Sequence, residues 1–387
     1  MTRLLEFLIA LLIVMIIFIA FGAMLPSERL VTRSAETDRP ASIVFDVLNN
    51  LQQLKQWNVL SVYDPLIQYT VSGQSSGAGA RLEYNSLLPK IRRGSWQITN
   101  SREGKLVEFT ITDPSFGKCK KLQFTFRTSE TDPKKVRITA TYYVNYGMNL
   151  IARYAGLYVQ HTKSAEIAFE LNKIVGILST IPNIDYRAII AGKPIITEPT
   201  KASVAALDRL VVQVGAVQRT DDALRAAVRE NTALIDRFAQ SKHVILDHTT
   251  SILLTDFNSD TYVFDIAKSV ILHSEPGLVS VPDHVEDKVA SPLQPKSNHA
   301  VNENLSTSPS EDTSAVHVAL VHSGPHNTIT TQFSGSLRDL GTAIDALRAW
   351  AMTHNYFIVN RPYATWDNQN PQNDVKQQNM TLYWDIE

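Results

Sequence analysis

The chain has little cysteine, little charge bias and none of the short motifs that mark a common chemistry. Cys119 stands alone among 387 residues, which excludes an internal disulfide framework and a cysteine-built zinc site. It also lies too far from the N-terminus to be a lipid-bearing cysteine behind a signal peptide. Thirty-seven Lys and Arg against 38 Asp and Glu leave a net charge of −1, so no global field draws the chain to nucleic acid. Phosphate-cradling glycine loops, nucleophile elbows and paired-carboxylate signatures are missing. The glycine-rich run from Ser72 to Arg81 sits between strands rather than opening a helix, so a dinucleotide reading fails on context. His322 and His326 flank Ser-Gly-Pro without a third ligand, and neither a metal nor a cofactor is expected.

What is present begins at the N-terminus. Phe7 to Leu25 is nineteen residues without a charge. At about 1.5 Å per residue a helix of that length just crosses a hydrocarbon core of about 30 Å. The rival reading is a cleaved secretory signal, with Ala20-Phe21-Gly22 as a small-residue site; against it, a signal's apolar core is usually about 7–15 residues. A single-pass anchor at 1–26 is the expectation. Arg3 on one flank and Arg29 and Arg33 on the other nearly tie the positive-inside count. A short tail before a large translocated domain favours domains outside the cytoplasm, on the periplasmic side of an inner membrane.

Residues 27–182 read as one folded unit. LVTRSAET alternates as a strand, and Pro40 opens a helix with Ile43, Val44, Val47 and Leu48 on one face. A second helical piece runs through Leu51, Leu54 and Trp57. Six strands follow over 66–72, 80–86, 95–100, 106–112, 121–128 and 136–144, separated by Gly, Pro, Asn or Asp. A long helix from about Asn149 to Thr180 closes the unit, its apolar stripe running through Tyr154, Leu157, Tyr158, His161, Ala165, Ala168, Leu171, Val175 and Leu178.

That order, with the turn Ser72-Gly73-Gln74-Ser75-Ser76-Gly77-Ala78-Gly79-Ala80-Arg81 and the following Tyr84, resembles the helix-grip fold of the START-like or SRPBCC superfamily, which includes polyketide cyclases and lipid-transfer proteins. The resemblance implies a curved antiparallel sheet around the last helix and an apolar cavity between them. The aromatic and stripe residues placed in that pocket are Trp57, Tyr84, Trp96, Phe109, Phe124, Phe126, Tyr142, Tyr158 and His161. Glu83, Glu108 and Glu166 are the available carboxylates, none with a partner marking it as catalytic. Lys90, Arg92 and Arg93 in one hairpin and Lys118, Lys120 and Lys121 in another fall at the same end of an up-and-down sheet. They are expected as solvated tips or as a patch meeting anionic lipid headgroups.

Residues 183–387 read differently. Tyr186–Ile190 and Ile195-Ile196 are short extended pieces. Then come a strand at 210–217, a helix from Asp221-Asp222 to about Gln240, and strands at 244–255 and 261–270. A similar series recurs as a strand at 316–322, a helix at 336–353, and strands at 356–365 and 380–386. The last strands share Thr-x-x-aromatic-Asp-Ile, at Thr261–Ile266 and Thr381–Ile386, so a two-fold repeat is expected. Residues 274–314 are rich in Pro, Ser, Asn and acids and read as a disordered insertion. Ala319-Leu320-Val321-His322-Ser323-Gly324-Pro325-His326, the helix ending at Trp350, and Arg361-Pro362-Tyr363 resemble the GyrI-like (SHS2-type) effector-binding domain. The resemblance implies a cleft lined by Tyr363, Trp366 and Trp384. The glutamate that cation-binding and hydrolytic members carry after the second helix has no counterpart in Tyr356–Ile386.

The fold class expected is α+β: a transmembrane helix, a helix-grip domain and a duplicated strand–helix–strand–strand domain. The function expected is a membrane-anchored binding protein for a hydrophobic small molecule or lipid, with a second ligand-sensing domain. An enzyme acting on a hydrophobic substrate is the alternative. A further one is an inhibitor acting on a protein partner through the GyrI-like part.

Overall fold

The computed structural model describes residues 2–191, 196–258, 260–271, 318–367 and 378–387. The expected insertion at 274–314 lies outside the described residues. The chain is α+β, with an apolar N-terminal helix and two antiparallel sheets.

Helix α1 (Thr2–Met24) is long and apolar enough to cross a membrane, with a mean hydropathy of 3.1 over its most apolar window. After Pro26 the chain passes directly into β1 (Glu28–Thr37), then α2 (Ala41–Leu48), α3 (Leu51–Trp57) and the single turn α4 (Leu60–Tyr63). Asn50 caps α3 by accepting from Gln52 N. Six strands follow: β2 (Gln68–Ser72), β3 (Arg81–Asn85), β4 (Arg93–Arg102), β5 (Leu106–Thr112), β6 (Lys118–Thr128) and β7 (Val136–Asn145). Their order in the sheet is β1-β7-β6-β5-β4-β3-β2. Each strand pairs with its sequence neighbour, and β1 returns to close on β7. Alternation sends Leu122, Phe124 and Phe126 inward with Ile138, Ala140, Tyr142 and Val144. The 31-residue α5 (Leu150–Thr180), capped by Asn149, lies across the inner face. This is the helix-grip arrangement that the START-like resemblance implies.

The second sheet has eight strands. After α6 (Tyr186–Ala191) come β8 (Thr200–Val204), β9 (Leu207–Gln218), α7 (Asp221–Lys242), β10 (Leu246–Phe257) and β11 (Thr261–Val270). Then come β12 (Val318–Ser323), β13 (His326–Gly335), the turn η1 (Leu337–Asp339), α8 (Leu340–Thr353), β14 (Tyr363–Asp367) and β15 (Gln378–Ile386). The order β12-β9-β11-β10-β14-β15-β13-β8 is symmetric about the β10–β14 seam. The strand preceding each half is traded: β8 pairs with β13, and β12 pairs with β9.

Several elements differ from expectation. The extended piece at Tyr186–Ile190 is helical, because Tyr186 and Arg187 both turn toward Asp46 of α2. The strand before α8 is β13; of the segment expected there, the described part from Val318 onward forms the edge strand β12, and 316–317 lie outside the described residues. Between Tyr356 and Thr365 only Tyr363 onward is a strand. At α7 the cap is Thr220, which accepts from Ala223 N, and Asp221 and Asp222 form the first turn, where carboxylates suit the positive helix end.

The two sheets meet through α2, α3, α6 and α8. Asp46, buried in α2, accepts from Tyr186 Oη and from both ends of the Arg187 guanidinium, Nε at 3.0 Å among them. Asn50 Nδ2 and Gln53 Nε2 donate to the last carbonyls of α8, Thr353 O at 3.2 Å and Met352 O at 2.9 Å. The first answers the last carbonyl of the helix, and the second adds to the Asn355 N–H that Met352 O already accepts at 3.3 Å.

Candidate functional site: a cavity between the seven-stranded sheet and α5

The inner face of the first sheet is filled at one end and open at the other. At the filled end Trp57 stands edge-on to Trp96, Phe109 and Phe124, with centroids 5.7–6.2 Å apart. At the open end, α5 and the tips of the β3–β4 and β5–β6 hairpins leave a cavity of about 980 Å³. Leu88, Pro89, Ile91, Phe116, Tyr146 and Val159 supply much of its wall. A smaller recess of about 80 Å³ continues inward past Asn58, Trp96, Leu122, Ile167 and Glu170. Chamber and recess share Leu60, Tyr63, Tyr84, Asp113, Tyr142, Lys163 and Glu166. Tyr84 reaches the cavity because position 94 is glycine: a Cβ there would meet Tyr84 Oη at 2.3 Å and Thr112 O at 2.4 Å.

The shared wall is polar. Lys163 Nζ donates to Glu166 Oε2 at 2.5 Å, and Tyr63 Oη to Glu166 Oε1 at 3.2 Å. Lys163 Nζ also lies 5.5 Å from the centre of the Tyr142 ring. Burial works against the Lys163 charge, but the Glu166 carboxylate, helped by Glu170 and Asp113, outweighs it and raises its pKa. Across the cavity Lys120 Nζ donates to Asp113 Oδ1 at 2.5 Å and to Ser115 O and Oγ, both at 2.7 Å. Burial opposes ionisation of Asp113, yet the Lys120 and Ser115 donors hold its pKa below the usual value. Burial, and then the Asp113 charge, push the Tyr84 and Tyr142 phenols above theirs.

Glu170 differs from these pairs. It is 4 % exposed, and the Val59 N–H donates to its Oε1 at 3.1 Å. Burial lifts its pKa to about 7, against the opposing pull of that bond and of Lys163. The neutral carboxylic acid is therefore the favoured form there on the acid side of neutrality. Beside it, Asn58 Nδ2 and Trp96 Nε1 are buried without an acceptor from the protein.

The helix that walls the cavity also holds α1. Phe18 stacks on Tyr154 at 4.2 Å, and Tyr154 Oη donates to Phe18 O at 2.7 Å. Arg153 Nη1 donates to Ala23 O and Leu25 O at 2.9 and 3.1 Å, placing a cation at the negative end of α1. Gly22 allows this contact, since a Cβ would meet Tyr154 Cε2 at 2.9 Å.

Of the nine residues expected in the pocket, Tyr84, Trp96 and Tyr142 line it. Trp57, Phe109, Phe124 and Phe126 are packed core. Tyr158, 74 % exposed, and His161 face outward. The buried stripe of α5 keeps Leu171 and Leu178 from the expected one and otherwise runs through Ala152, Gly156, Ser164, Ile167 and Ile174. Among the six cations, Lys120 is buried: a bulge between Lys118 and Lys121, with Cys119 at a left-handed φ of 51°, turns it to Asp113. Lys121 pairs with Glu108 at 3.1 Å. Lys90 lines the cavity with exposed Phe116, whereas Arg93 lines a separate hollow with Arg81 and Asn85, and Arg92 and Lys118 are exposed. Of the carboxylates singled out, Glu166 is in the cavity, while Glu83 pairs with Arg81 on the surface. Asp113 and Glu170 escaped notice.

Tyr363, Trp366 and Trp384 do not share a cleft. Tyr363 stacks on Tyr383 at 4.9 Å and carries the Arg209 guanidinium 4.6 Å from its ring centre. Trp384 follows Tyr383 in β15 and so points to the opposite face, where it joins Trp366 in the core. His322 Nδ1 meets Asp208 at 2.5 Å and His326 Nε2 meets Asp385 at 3.3 Å. No group of three metal-ligating side chains occurs among the described residues.

No family model and no curated protein matches the chain. Solved structures similar to parts of it include protein Ms6760 from Mycobacterium smegmatis, at 22% identity over 38% of this chain and 90% of that one, with a TM-score of 0.28. Norcoclaurine synthase from Thalictrum flavum, in complex with dopamine and hydroxybenzaldehyde, is 10% identical over 41% and 90%, with a TM-score of 0.32. SA2116 from Staphylococcus aureus, a protein of unknown function, is 13% identical over 40% and 96%, with a TM-score of 0.30. With scores this low, the architecture rests on the strand order and register of the chain itself.

Proposed function

We propose that this protein binds an apolar small molecule or lipid in the cavity of its first unit and is held at a membrane by α1. The observation that carries this reading is the chamber of about 980 Å³ between apolar side chains, walled by the same helix that grips the end of α1. A cavity of that size suits a lipid-sized or drug-sized ligand. The contacts of Tyr154 and Arg153 to α1 favour an uncleaved anchor, because cleavage near Ala23 would take the Phe18 partner from Tyr154 and the Ala23 carbonyl from Arg153. Exposed Phe116 and Lys90 on the cavity wall suit an anionic bilayer surface.

The test is native mass spectrometry of the full chain extracted in mild detergent. A co-purifying apolar species is expected in the parent and reduced in Val159→Trp, which puts an indole into the chamber. An empty parent chain that also refuses added lipid would sink the reading.

The second unit is read as a GyrI-like sensing or interaction domain; its support is the repeated strand–helix–strand–strand order and the traded edge strands. An enzymatic reading has one observation in its favour, the group Lys163, Glu166 and Glu170 beside an apolar chamber. Turnover of a bound ligand, abolished in Glu170→Gln, would establish it.

A further inference from the structure

We infer that the inner recess is a separate subsite for the neutral oxygen head of an amphiphile, a carbonyl or hydroxyl group, whose hydrocarbon tail occupies the outer chamber. The inference rests on the binding role proposed for the cavity and specifies the class of ligand.

Three features converge on the recess. Asn58 Nδ2 and Trp96 Nε1 are donors in residues 1 % and 6 % exposed, and neither finds an acceptor in the protein. Burying an amide or indole N–H unpaired is costly, so such groups are commonly satisfied by a ligand or an ordered water. The Glu170 carboxyl is the third. Its Oε1 accepts from Val59 N–H, so in the acid form the proton belongs on Oε2 and is a donor as well. All three offer hydrogen, and the group that answers them is an acceptor oxygen. The recess, about 80 Å³, holds a head of a few heavy atoms and excludes a bulky one.

Charge selects among acceptors. The cations at this wall are already matched, Lys163 by Glu166 and Lys120 by Asp113. A carboxylate head entering beside Glu170 would find no cation without a carboxylate partner among the residues lining the recess. A bare alkane would leave the donors dry and unpaired. A ketone, ester or alcohol on a long apolar tail satisfies both conditions, because the outer chamber continues from the recess through Tyr63, Tyr84 and Tyr142 toward Val159 and Phe116.

The experiment is competition by native mass spectrometry on the detergent-solubilised full chain at about pH 6, below the Glu170 value of about 7, where that carboxyl keeps its proton and a fatty carboxylate is ionised. The probes are pentadecane, tridecyl methyl ketone and pentadecanoate in equal amounts. The ketone is expected to outcompete the alkane by about tenfold, the value of one to two well-made hydrogen bonds, and to outcompete the carboxylate too. Trp96→Phe removes one donor and keeps a ring. Asn58→Asp removes the other and keeps the oxygen that accepts from Leu60 N–H. Each should cut the ketone's advantage over the alkane several-fold. Equal occupancy by ketone and alkane, or a preference for the carboxylate, overturns the subsite and leaves the cavity reading standing. Failure of all three probes to bind overturns both.

Discussion

The two sheets treat their inner faces in opposite ways. The seven-stranded sheet curls around one long helix and leaves a chamber beside it. The eight-stranded sheet takes two helices, and α8 approaches closely because Ala343, Ala346, Ala349 and Ala351 are fully buried small residues. Small side chains bring a helix axis down onto a sheet; large ones at the contact hold it away. In the first unit the large aromatics cluster at the closed end, and the open end is built from polar pairs that resist collapse. What separates a binding scaffold from a packed one here is where bulk is placed, not how much there is.

The sharpest way to break this contrast is truncation in each unit. Phe264→Ala, in the filled core of the second, should cost about 4 kcal/mol in chemical unfolding. Val159→Ala, on the chamber wall of the first, should cost less than about 1 kcal/mol, since few contacts exist to lose. Equal costs would mean that the chamber is closed in solution. Next comes the seam. Asp46→Ala leaves Tyr186 Oη and the Arg187 guanidinium without their buried acceptor. A loss of about 3 kcal/mol is expected, with the unfolding transitions of the two units drawing apart in calorimetry. A single unshifted transition would show that the units are held together elsewhere.

The third prediction turns on pH. Burial raises the folded-state pKa of Glu170 to about 7, from an ordinary glutamate value of 4.5. A raised acid pKa means that the native state prefers the proton. That preference is fully present below the unfolded value and is lost as pH rises through about 7. Glu170→Gln keeps the neutral shape, so it should match the parent near pH 5. By about pH 8 it should gain stability, up to on the order of 3 kcal/mol. A variant less stable than the parent at both pH values would show that the carboxylate is held by partners absent from this account.

Much of the first sheet was legible in the chain. The alternation of Leu122, Phe124 and Phe126, and of Ile138 to Val144, is set by the two-residue period of a strand with one wet face. The cavity's chemistry was not, because burial of a charged residue is a tertiary fact. On α5 a hydrophobic stripe chosen by residue type selects Tyr154, Leu157 and Tyr158, which face α1 or solvent. The true inward face carries Glu170, next to Leu171, and the wall residues Lys163 and Glu166. The one local signal was their three- and four-residue spacing, which stacks them on a single face. Strand β13 was missed for a similar reason: His-Asn-Thr-Ile-Thr-Thr-Gln-Phe looks polar, yet Thr328 and Thr331 are buried alongside Ile329 and Phe333. Two aromatics misled in the other direction, since Trp366 and Trp384 advertise a cleft and are core.

The trading of β8 and β12 has a consequence for how the chain is made. When the ribosome has released the chain as far as Val270, β9 is flanked by β11 on one side only, and β8 waits for a partner not yet translated. Both outer strands find their places only once the second half arrives. A nascent or prematurely ended chain therefore carries two open hydrogen-bonding edges, the form in which sheets recruit one another. Folding of this unit waits on the later half, whose β12 and β13 take up the pairs that β9 and β8 leave open.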